Sequence, residues 1–268
     1  KNSLKINYGK RINRPQNHQL NPNLYTIDQY TLQQGNPELA PEIIQNIAAT
    51  YSLSFRENYL STKVFYRQES KVIEDLTILT DTGSLFMEKQ NMGDLNYKGL
   101  NLLGSINLHD NVSLNANIEL YHVKTRVNAL AEKQGVASRS GLEIRGDMSA
   151  IWAIKEDISL STSLQFQSTA TGIQHKYNEG ALYFISLDKV FFKRVKVELT
   201  SAMPFKRSFT YQSYDIIAAN YAVKSEDKIK LSMFSAWIKL KYSFSSGNKV
   251  RHLKRHNVFK EKRVKKGF

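Results

Sequence analysis

The chain has 268 residues, of which 41% are hydrophobic, and its mean hydropathy is −0.44. No segment approaches the roughly 18 apolar residues of a membrane helix, whereas a membrane β-barrel stays possible because its strands are only half apolar. The lack of cysteine in the sequence excludes disulfides, zinc–thiolate sites and cysteine nucleophiles.

The net charge of +14 is concentrated near the C-terminus, where Lys249–Phe268 holds nine basic residues and a single acid, Glu261. Such a run is usually a solvated tail, and binding to lipid phosphate or to a protein partner is the alternative. The body shows no helix-turn-helix, zinc-finger or RNA-binding motif. We therefore expect no nucleic acid among the partners.

The chain opens KNSLKINYGK, with neither an initiator Met nor a charged-then-apolar leader. Since Ser3–Gly9 already has the pattern of a strand, we interpret the chain as the interior of a longer protein. The mature start of an exported protein is the alternative.

Alternation of apolar and polar residues predicts strands with one apolar and one polar face. It is strictest from Val112 to Tyr121, from Ile158 to Gln167 and from Ser235 to Phe244. About ten strands are predicted, in chain order at Ser3–Gly9, Ile43–Phe55, Tyr59–Lys71, Asn91–Leu108, from Val112, Ser138–Ile154, from Ile158, Ala181–Val190, Val195–Tyr211 and Lys228–Phe244.

The predicted connections alternate between short and long. Short turns are expected at residues 56–58, 109–111, 155–157 and 193–194. Longer polar loops are expected at Arg11–Glu42, Val72–Gln90, Thr125–Ala137, Thr171–Gly180 and Gln212–Asp227. Short turns at one end, long loops at the other and strands of about ten or more residues are typical of outer-membrane barrels rather than soluble sandwiches. Aromatic residues near strand ends fit the interfacial girdles of such barrels: Phe55, Tyr59, Tyr66, Tyr183, Tyr242 and Phe244.

The segment from Tyr8 to Glu42 contains the runs YGKRINRPQNHQLNPN and QQGNPELAPE. These runs resemble the β-barrel region of TonB-dependent receptors, especially the outer-membrane β-barrel family of Bacteroidetes. The residues that match the family's loop motif are Arg11, Arg14, Pro15, Gly35, Asn36, Pro37, Leu39, Pro41 and Glu42. The runs ALYFISLDKVFFKRVKVEL and WIKLKYSF resemble its late hairpin and last strand. Four of the five prolines lie between Pro15 and Pro41, which predicts a rigid, non-pairing loop.

The resemblance implies an all-β, antiparallel transmembrane β-barrel, with about ten strands here as part of a 22-stranded barrel. Residues 1–246 would form the barrel segment in the bacterial outer membrane, and residues 247–268 a basic periplasmic tail. The implied partners are outer-membrane lipid and lipopolysaccharide, the missing N-terminal plug and barrel strands, TonB, and a surface lipoprotein or a larger outer-membrane complex.

The sequence offers no defensible catalytic set, and we expect no enzyme, no cofactor and no metal site. Of the histidines, His252 and His256 alone have a suitable spacing, but they lie among basic residues that disfavour a metal ion. His122, Asp147 and Asp157 could serve a ten-stranded outer-membrane hydrolase, although nothing brings them together. The favoured function is an outer-membrane receptor or transporter for an unidentified extracellular ligand, contacted above all by Arg11–Glu42. The alternative is a structural barrel that scaffolds a multi-protein complex.

Overall fold

The computed structural model describes residues 1–218, 221–231 and 235–244, and the basic tail that the sequence predicts lies outside this range. Its strands are β1 Asn2–Asn13, β2 Tyr25–Asp28, β3 Thr31–Gln34, β4 Glu42–Phe55, β5 Asn58–Leu79, β6 Leu85–His109, β7 Val112–Val127, β8 Ser140–Lys155, β9 Ile158–Gln167, β10 Ala170–Thr171, β11 His175–Glu179, β12 Leu182–Phe191, β13 Val195–Ala202, β14 Ser208–Ile217, β15 Ala222–Lys230 and β16 Ala236–Tyr242. The helices are α1 Asn17–Leu20 and α2 Ala129–Lys133. In this part of the chain no helix is long and apolar enough to cross a membrane.

The main sheet follows a path of ten strands, β1-β4-β5-β6-β7-β8-β9-β12-β13-β16, each antiparallel to its neighbours. The predicted all-β class is therefore confirmed, and the path of the main sheet has the predicted number of about ten strands. Within the described residues β1 pairs with β4 alone and β16 with β13 alone, so this sheet is not closed into a barrel by itself.

The predicted short turns are also confirmed. Two-residue turns join β4 to β5, β6 to β7 and β8 to β9, and residues 192–194 join β12 to β13. Arg56, Phe192 and Lys193 take positive φ in these turns. All four turns lie at the same end of the sheet, which we call the turn end, and the opposite end is the loop end.

The predicted loop Val72–Gln90 is wrong, because β5 and β6 continue as a hairpin as far as residues 80–84. The hairpin strands have 22 and 25 residues, about twice what a tilted strand needs to cross a bilayer. Charged residues made this segment look like a loop in the sequence. In the sheet they form cross-strand pairs, for example Asp75 opposite Lys89, whose carboxylate and ammonium groups are 2.6 Å apart.

Two predicted strands, Val195–Tyr211 and Lys228–Phe244, are each divided between two sheets. The first breaks at a turn that contains Pro204, next to Met203 with its positive φ. The second ends as β15 and resumes as β16. As a result β10, β11, β14 and β15 form a second, four-stranded sheet, and the predicted loops Thr171–Gly180 and Gln212–Asp227 are largely strands.

The segment Arg11–Glu42 is not the non-pairing loop that its prolines suggested. β1 continues to Asn13, and β2 and β3 form a hairpin whose second strand pairs in parallel with Leu85–Glu88 of β6. The prolines lie outside β2 and β3, so every residue of these strands keeps the amide that a ladder requires. This hairpin therefore covers the free edge of β6 where β6 extends beyond β7.

The apolar core lies at the loop end of the main sheet. Side chains from β4 to β7 pack there beneath α2 and the connection between β10 and β11, burying residues that include Phe65, Met92, Val123, Ala131 and Ile173. The loops are thus anchored to one face of the sheet rather than standing free above it.

Candidate functional site

The register of the main sheet separates a polar face from an apolar face. Lys63, Asn101, Glu119 and Arg145 lie opposite one another across β5–β8, and neighbouring rows carry further charged and amide side chains. The next row points the other way and consists of Val64, Leu100, Leu120 and Ile144. Large apolar side chains of this second face are strongly exposed: Leu4 69%, Ile6 70%, Val64 58%, Leu142 70%, Ile238 67% and Leu240 72%. A continuous exposed apolar face marks a surface that contacts lipid or protein.

The aromatic residues near strand ends mostly belong to the apolar face. Tyr66, Tyr183 and Tyr242 alternate in phase with the apolar residues of their strands. Tyr59 is the exception, because it lies in the polar row of Ser105 and its hydroxyl donates to the Oγ of Ser52 at 3.2 Å. Its prediction as a residue of an interfacial girdle is therefore wrong.

A cavity of about 390 Å³ opens on the polar face between β7, β8, β9 and the segment before β12. The Arg145 guanidinium lies 3.3 Å from the Glu119 carboxylate, and the Asn117 side-chain amide donates to Asp147 at 3.3 Å. Glu179 completes the charged lining from β11. The cavity thus presents both signs of charge together with amides, which suits a polar ligand or a polar protein segment.

A row of stacked cationic and aromatic groups adjoins this cavity. The guanidinium carbon of Arg67 lies 4.1 Å from the ring centre of Tyr97, and the rings of Tyr97 and Tyr121 meet edge to face at 5.8 Å. Arg145 also approaches the Tyr121 ring, with its guanidinium carbon 5.6 Å from the ring centre. Glu69 pairs with Arg67 at 3.2 Å. These contacts hold the side chains of β5–β8 in fixed positions beneath the loops.

A second polar network ties the loops to the projecting hairpin. The Glu74 carboxylate accepts the backbone N–H groups of Ile173 at 3.0 Å and Gln174 at 3.4 Å. The fully buried side chain of Gln174 accepts the N–H of Thr77 and donates to its carbonyl, at 2.8 and 2.9 Å. The Tyr221 hydroxyl donates to the same carbonyl, and burial raises the pKa of this phenol. It therefore remains a neutral donor over the physiological pH range.

Part of the predicted loop motif folds back onto α1. Gly35 and Asn36 donate their N–H groups to the carbonyls of Asn21 and Gln19 at 2.9 and 2.7 Å, and Leu39 is buried. A Cβ at Gly35 would lie 2.6 Å from both carbonyl oxygens, so this position requires glycine.

The remaining motif residues do not gather into one site. Glu42 accepts hydrogen bonds from the Asn13 amide at 2.5 Å and the Ile73 N–H at 2.7 Å. Arg11 lies on the polar face of β1, opposite Ile44. The connecting segments contain Arg14, Pro15, Pro37 and Pro41. Gly35, Asn36 and Glu42 of the motif hold this segment in place through hydrogen bonds. That the motif contacts a ligand stays a prediction.

The residues considered for a hydrolase do not meet. His122 lies on the apolar face of β7, Asp147 lies on the polar face of β8, and Asp157 belongs to a turn at the opposite end. Among residues 1–218, 221–231 and 235–244 no group of three or more His, Cys, Asp and Glu is arranged to hold a metal ion.

Comparison with known proteins identifies the barrel. Residues 1–242 match the model of the outer membrane protein beta-barrel family. The chain belongs to this family. The apolar face is accordingly the lipid-facing surface, and the polar face lines the lumen. No curated protein sequence matches the chain significantly.

Solved structures agree in fold. The siderophore receptor PirA from Pseudomonas aeruginosa has 15% sequence identity and a TM-score of 0.57, over 85% of this chain and 39% of the receptor. The ferric enterobactin receptor mutant (Q482A) from Pseudomonas aeruginosa (PfeA), solved with enterobactin, has 15% sequence identity and a TM-score of 0.52. This match covers 78% of the present chain and 34% of the receptor. The chain thus spans less than two fifths of each receptor, and its predicted resemblance to the barrel portion of such receptors is confirmed as to fold.

Sequence reasoning did not find the contacts of the cavity or of the network around Glu74. Alternation places Asn117 and Glu119 on the polar face of β7, but it does not show that Arg145 lies opposite Glu119. Likewise, the link from Glu74 to Ile173 and Gln174 spans about 100 positions of the chain. No local pattern encodes a contact of that separation.

Proposed function

We propose that this chain forms part of the barrel of a TonB-dependent outer-membrane receptor that binds or takes up an extracellular ligand. The observation that carries the proposal is the charged lumen face of the main sheet, whose path of ten strands pairs no further at β1 or β16 within the described residues. Unpaired strand edges are not viable in lipid, so further strands must complete the barrel. The lumen of such a wide barrel is closed by a plug domain in outer-membrane transporters of this fold class.

The proposal sets the turn end in the periplasm and the loop end outside, in keeping with the short periplasmic turns of outer-membrane barrels. The loops, the long β5–β6 hairpin and the cavity beside Arg145 would then face the incoming ligand. One solved barrel of similar fold is described as a siderophore receptor and the other as a ferric enterobactin receptor, which supports a receptor role without identifying the ligand. The proposal gives the chain no enzymatic activity.

A scaffold role is the second candidate. The β2–β3 hairpin exposes Leu24, Tyr25, Ile27 and Tyr30, of which Tyr30 is 68% exposed. The hairpin pairs with the tip of β6, more than ten residues beyond the apolar face, so lipid does not cover these side chains. A protein partner would cover these side chains, as expected for a barrel that organises a larger complex.

The deciding experiment measures the mass and N-terminal sequence of the native polypeptide that contains this chain, purified from outer membranes. We expect a mass well above the 30.8 kDa of the chain, with a plug-like region upstream. Cross-linking in energised cells should then join the polypeptide to TonB. A mass of 30.8 kDa would contradict the receptor proposal, and a stable complex that never cross-links to TonB would favour the scaffold.

A further inference from the structure

The second sheet repeats the strand order of the neighbouring part of the main sheet. Its order β10-β11-β14-β15 corresponds to β9-β12-β13-β16, because β10 follows β9, β11 precedes β12, β14 follows β13 and β15 precedes β16 along the chain. The second sheet is therefore the outer part of the same four strands, and each strand is interrupted once between its two parts. We call the four outer strands, β10, β11, β14 and β15, the flap.

The interruptions contain backbone that cannot continue a regular ladder. Gly180 lies so close to β14 that a Cβ would be 1.9 Å from the carbonyl oxygen of Thr210. Met203 has a φ of 48°, and Pro204 after it has no amide to donate. Interruptions of a few residues in neighbouring strands can serve together as a hinge. Those that lie wholly within the described residues are 168–169, 180–181 and 203–207.

The flap leans over the lumen face of the main sheet. The Glu143 carboxylate, which shares the polar face of β8 with Arg145, accepts the N–H of Thr171 at 2.6 Å. Beyond this contact, the two turns of the flap reach Thr77 of β5. Since β5 lies four places from β9 in the sheet, the flap crosses a width of roughly 19 Å. A straight continuation of β9 and β12 would stay beside β8 instead.

The contacts that hold the flap down are few and lie at its two turns. Gln174 makes two hydrogen bonds to the backbone of Thr77, at 2.8 and 2.9 Å, and the Tyr221 hydroxyl donates to the same carbonyl. Among the described residues of the flap and its turns, the fully buried apolar side chains are Ile173 and Ile216. The strands of the flap, in contrast, are paired with one another along their length. The flap can therefore leave the wall without losing its own pairing.

We propose that the flap is a lid that opens and closes as one body over the cavity beside Arg145. Glu179 of the flap lines this cavity opposite Asn117 and Arg145 of the wall. Opening breaks the bonds at Thr77, moves Glu179 away from the wall and widens the entrance, and the present structure is the closed state. The role of the lid in admitting a ligand rests on the proposed function, whereas its movement does not.

A cysteine at position 77 reports the opening. The chain contains no cysteine, and the side chain of Thr77 is completely buried. Its hydroxyl has no hydrogen-bond partner among the described residues, and the bonds to Gln174 and Tyr221 involve the backbone. Thr77→Cys should thus preserve the closed state. The full-length protein in isolated outer-membrane fragments is treated with a water-soluble maleimide, and mass spectrometry of its peptides gives the labelling rate at residue 77.

Two substitutions in the Thr77→Cys background weaken the closed state by different amounts. Gln174→Ala removes two hydrogen bonds and should raise the labelling rate at least about tenfold. Tyr221→Phe removes one bond and should raise it less. Lys224→Ala, an exposed position on β15, is the matched control and should leave the rate unchanged. Ser61→Cys, a buried position lower on β5, is the control reporter, and Gln174→Ala should not affect its labelling.

Hydrogen–deuterium exchange distinguishes a moving lid from an unfolding one. In Gln174→Ala, the amides of residues 208–217 and 222–230 should keep their protection, because the pairing of β14 with β15 moves with the flap. Unchanged labelling of residue 77 in both variants, loss of protection in β14 and β15, or an equal rise at the Ser61→Cys reporter would each overturn the inference. Both faces of membrane fragments are accessible, so the result does not depend on orientation or on TonB. A native mass of 30.8 kDa would therefore refute the receptor and leave the lid intact.

Discussion

Glu74 illustrates how one side chain positions a distant loop. Its carboxylate accepts two backbone N–H groups, those of Ile173 and Gln174, and lies 3.6 Å from the Nδ1 of His175. Ile173, Gln174 and His175 are all buried, although the first two belong to the connection between two short strands and His175 begins the second of these strands. A carboxylate can accept two amides at once, which a neutral side chain of similar size cannot do equally well.

Replacing Glu74 with alanine should release this loop from the β5–β6 hairpin. Hydrogen bonds to a charged group contribute about 1.5–3 kcal/mol each, so amide protection at residues 171–179 should fall at least about tenfold. Hydrogen–deuterium exchange measures this directly. Glu38→Ala, on an exposed segment of the Arg11–Glu42 region, is the control and should change nothing there. Unchanged protection in Glu74→Ala would show that the packing of Ile173 and the hydrogen bonds between Gln174 and Thr77 hold the loop without the carboxylate.

At the scale of elements, a bulge divides the β5–β6 hairpin into two parts. The register shifts between Glu69 and Val72. Lys71 takes a φ of 58° there, and Gly93, which lies opposite Val72, has a φ of 148°. Before the bulge, odd-numbered residues of β5 such as Phe65 point to the core, and after it Val72 and Leu76 do so. The bulge thereby turns the projecting half of the hairpin so that its apolar side continues to cover the core.

Substituting Gly93 with alanine should disrupt the projecting half and spare the half within the membrane. A Cβ at this position would lie 2.0 Å from the carbonyl oxygen of Arg126, in a backbone conformation that other residues rarely adopt. We expect a cost of about 1–3 kcal/mol or more, seen as faster exchange at residues 72–92 than in the unaltered protein.

Gly9→Ala is the control for this substitution, because a Cβ at Gly9 would have no atom within 4 Å. It should leave exchange unchanged in both halves of the hairpin. If Gly93→Ala instead lowered protection evenly from residue 58 to residue 109, the two halves would form one cooperative unit and the bulge would not separate them.

In the molecule as a whole, the main sheet separates lipid on its apolar face from the lumen on its polar face. Leu102 and Leu103 are neighbours on β6 with nearly equal exposure, 45% and 43%, yet the register puts Leu102 in the row of Ile118 and Leu103 in the row of Asn117. Exposure therefore does not distinguish their surroundings, whereas the family and the register assign one to lipid and the other to the lumen.

The two leucines provide a matched test of this assignment. Leu102→Arg should destabilise the folded barrel by about 2–4 kcal/mol, since a lipid-facing cation near the bilayer midplane costs that much. Leu103→Arg should be close to neutral, because water and polar side chains surround it. Unfolding of the full-length protein in lipid vesicles, followed by tryptophan fluorescence in urea, compares them. Equal destabilisation of both variants would contradict the assignment of the faces.

Prediction from the sequence was accurate where a single strand carries the whole signal. In β7, alternation from Val112 to Tyr121 identified the strand and both of its faces, because neighbouring side chains of any strand point in opposite directions. It failed for β5 and β6 beyond Lys71, where paired charges such as Asp75 and Lys89 had the composition of a loop. It failed again at Met203, since one unbroken apolar–polar pattern runs through a turn between two different sheets.

The all-β class, the ten strands along the path of the main sheet, the short turns and the resemblance to outer-membrane barrels could all be predicted from the sequence alone. Each of these depends on local periodicity or on a short run of residues. The second sheet, the hydrogen bond between Glu74 and the loop at Ile173, and the ion pair of Arg145 with Glu119 are visible only in the folded structure. These features depend on register between strands and on contacts between distant segments, and no short stretch of sequence contains that information.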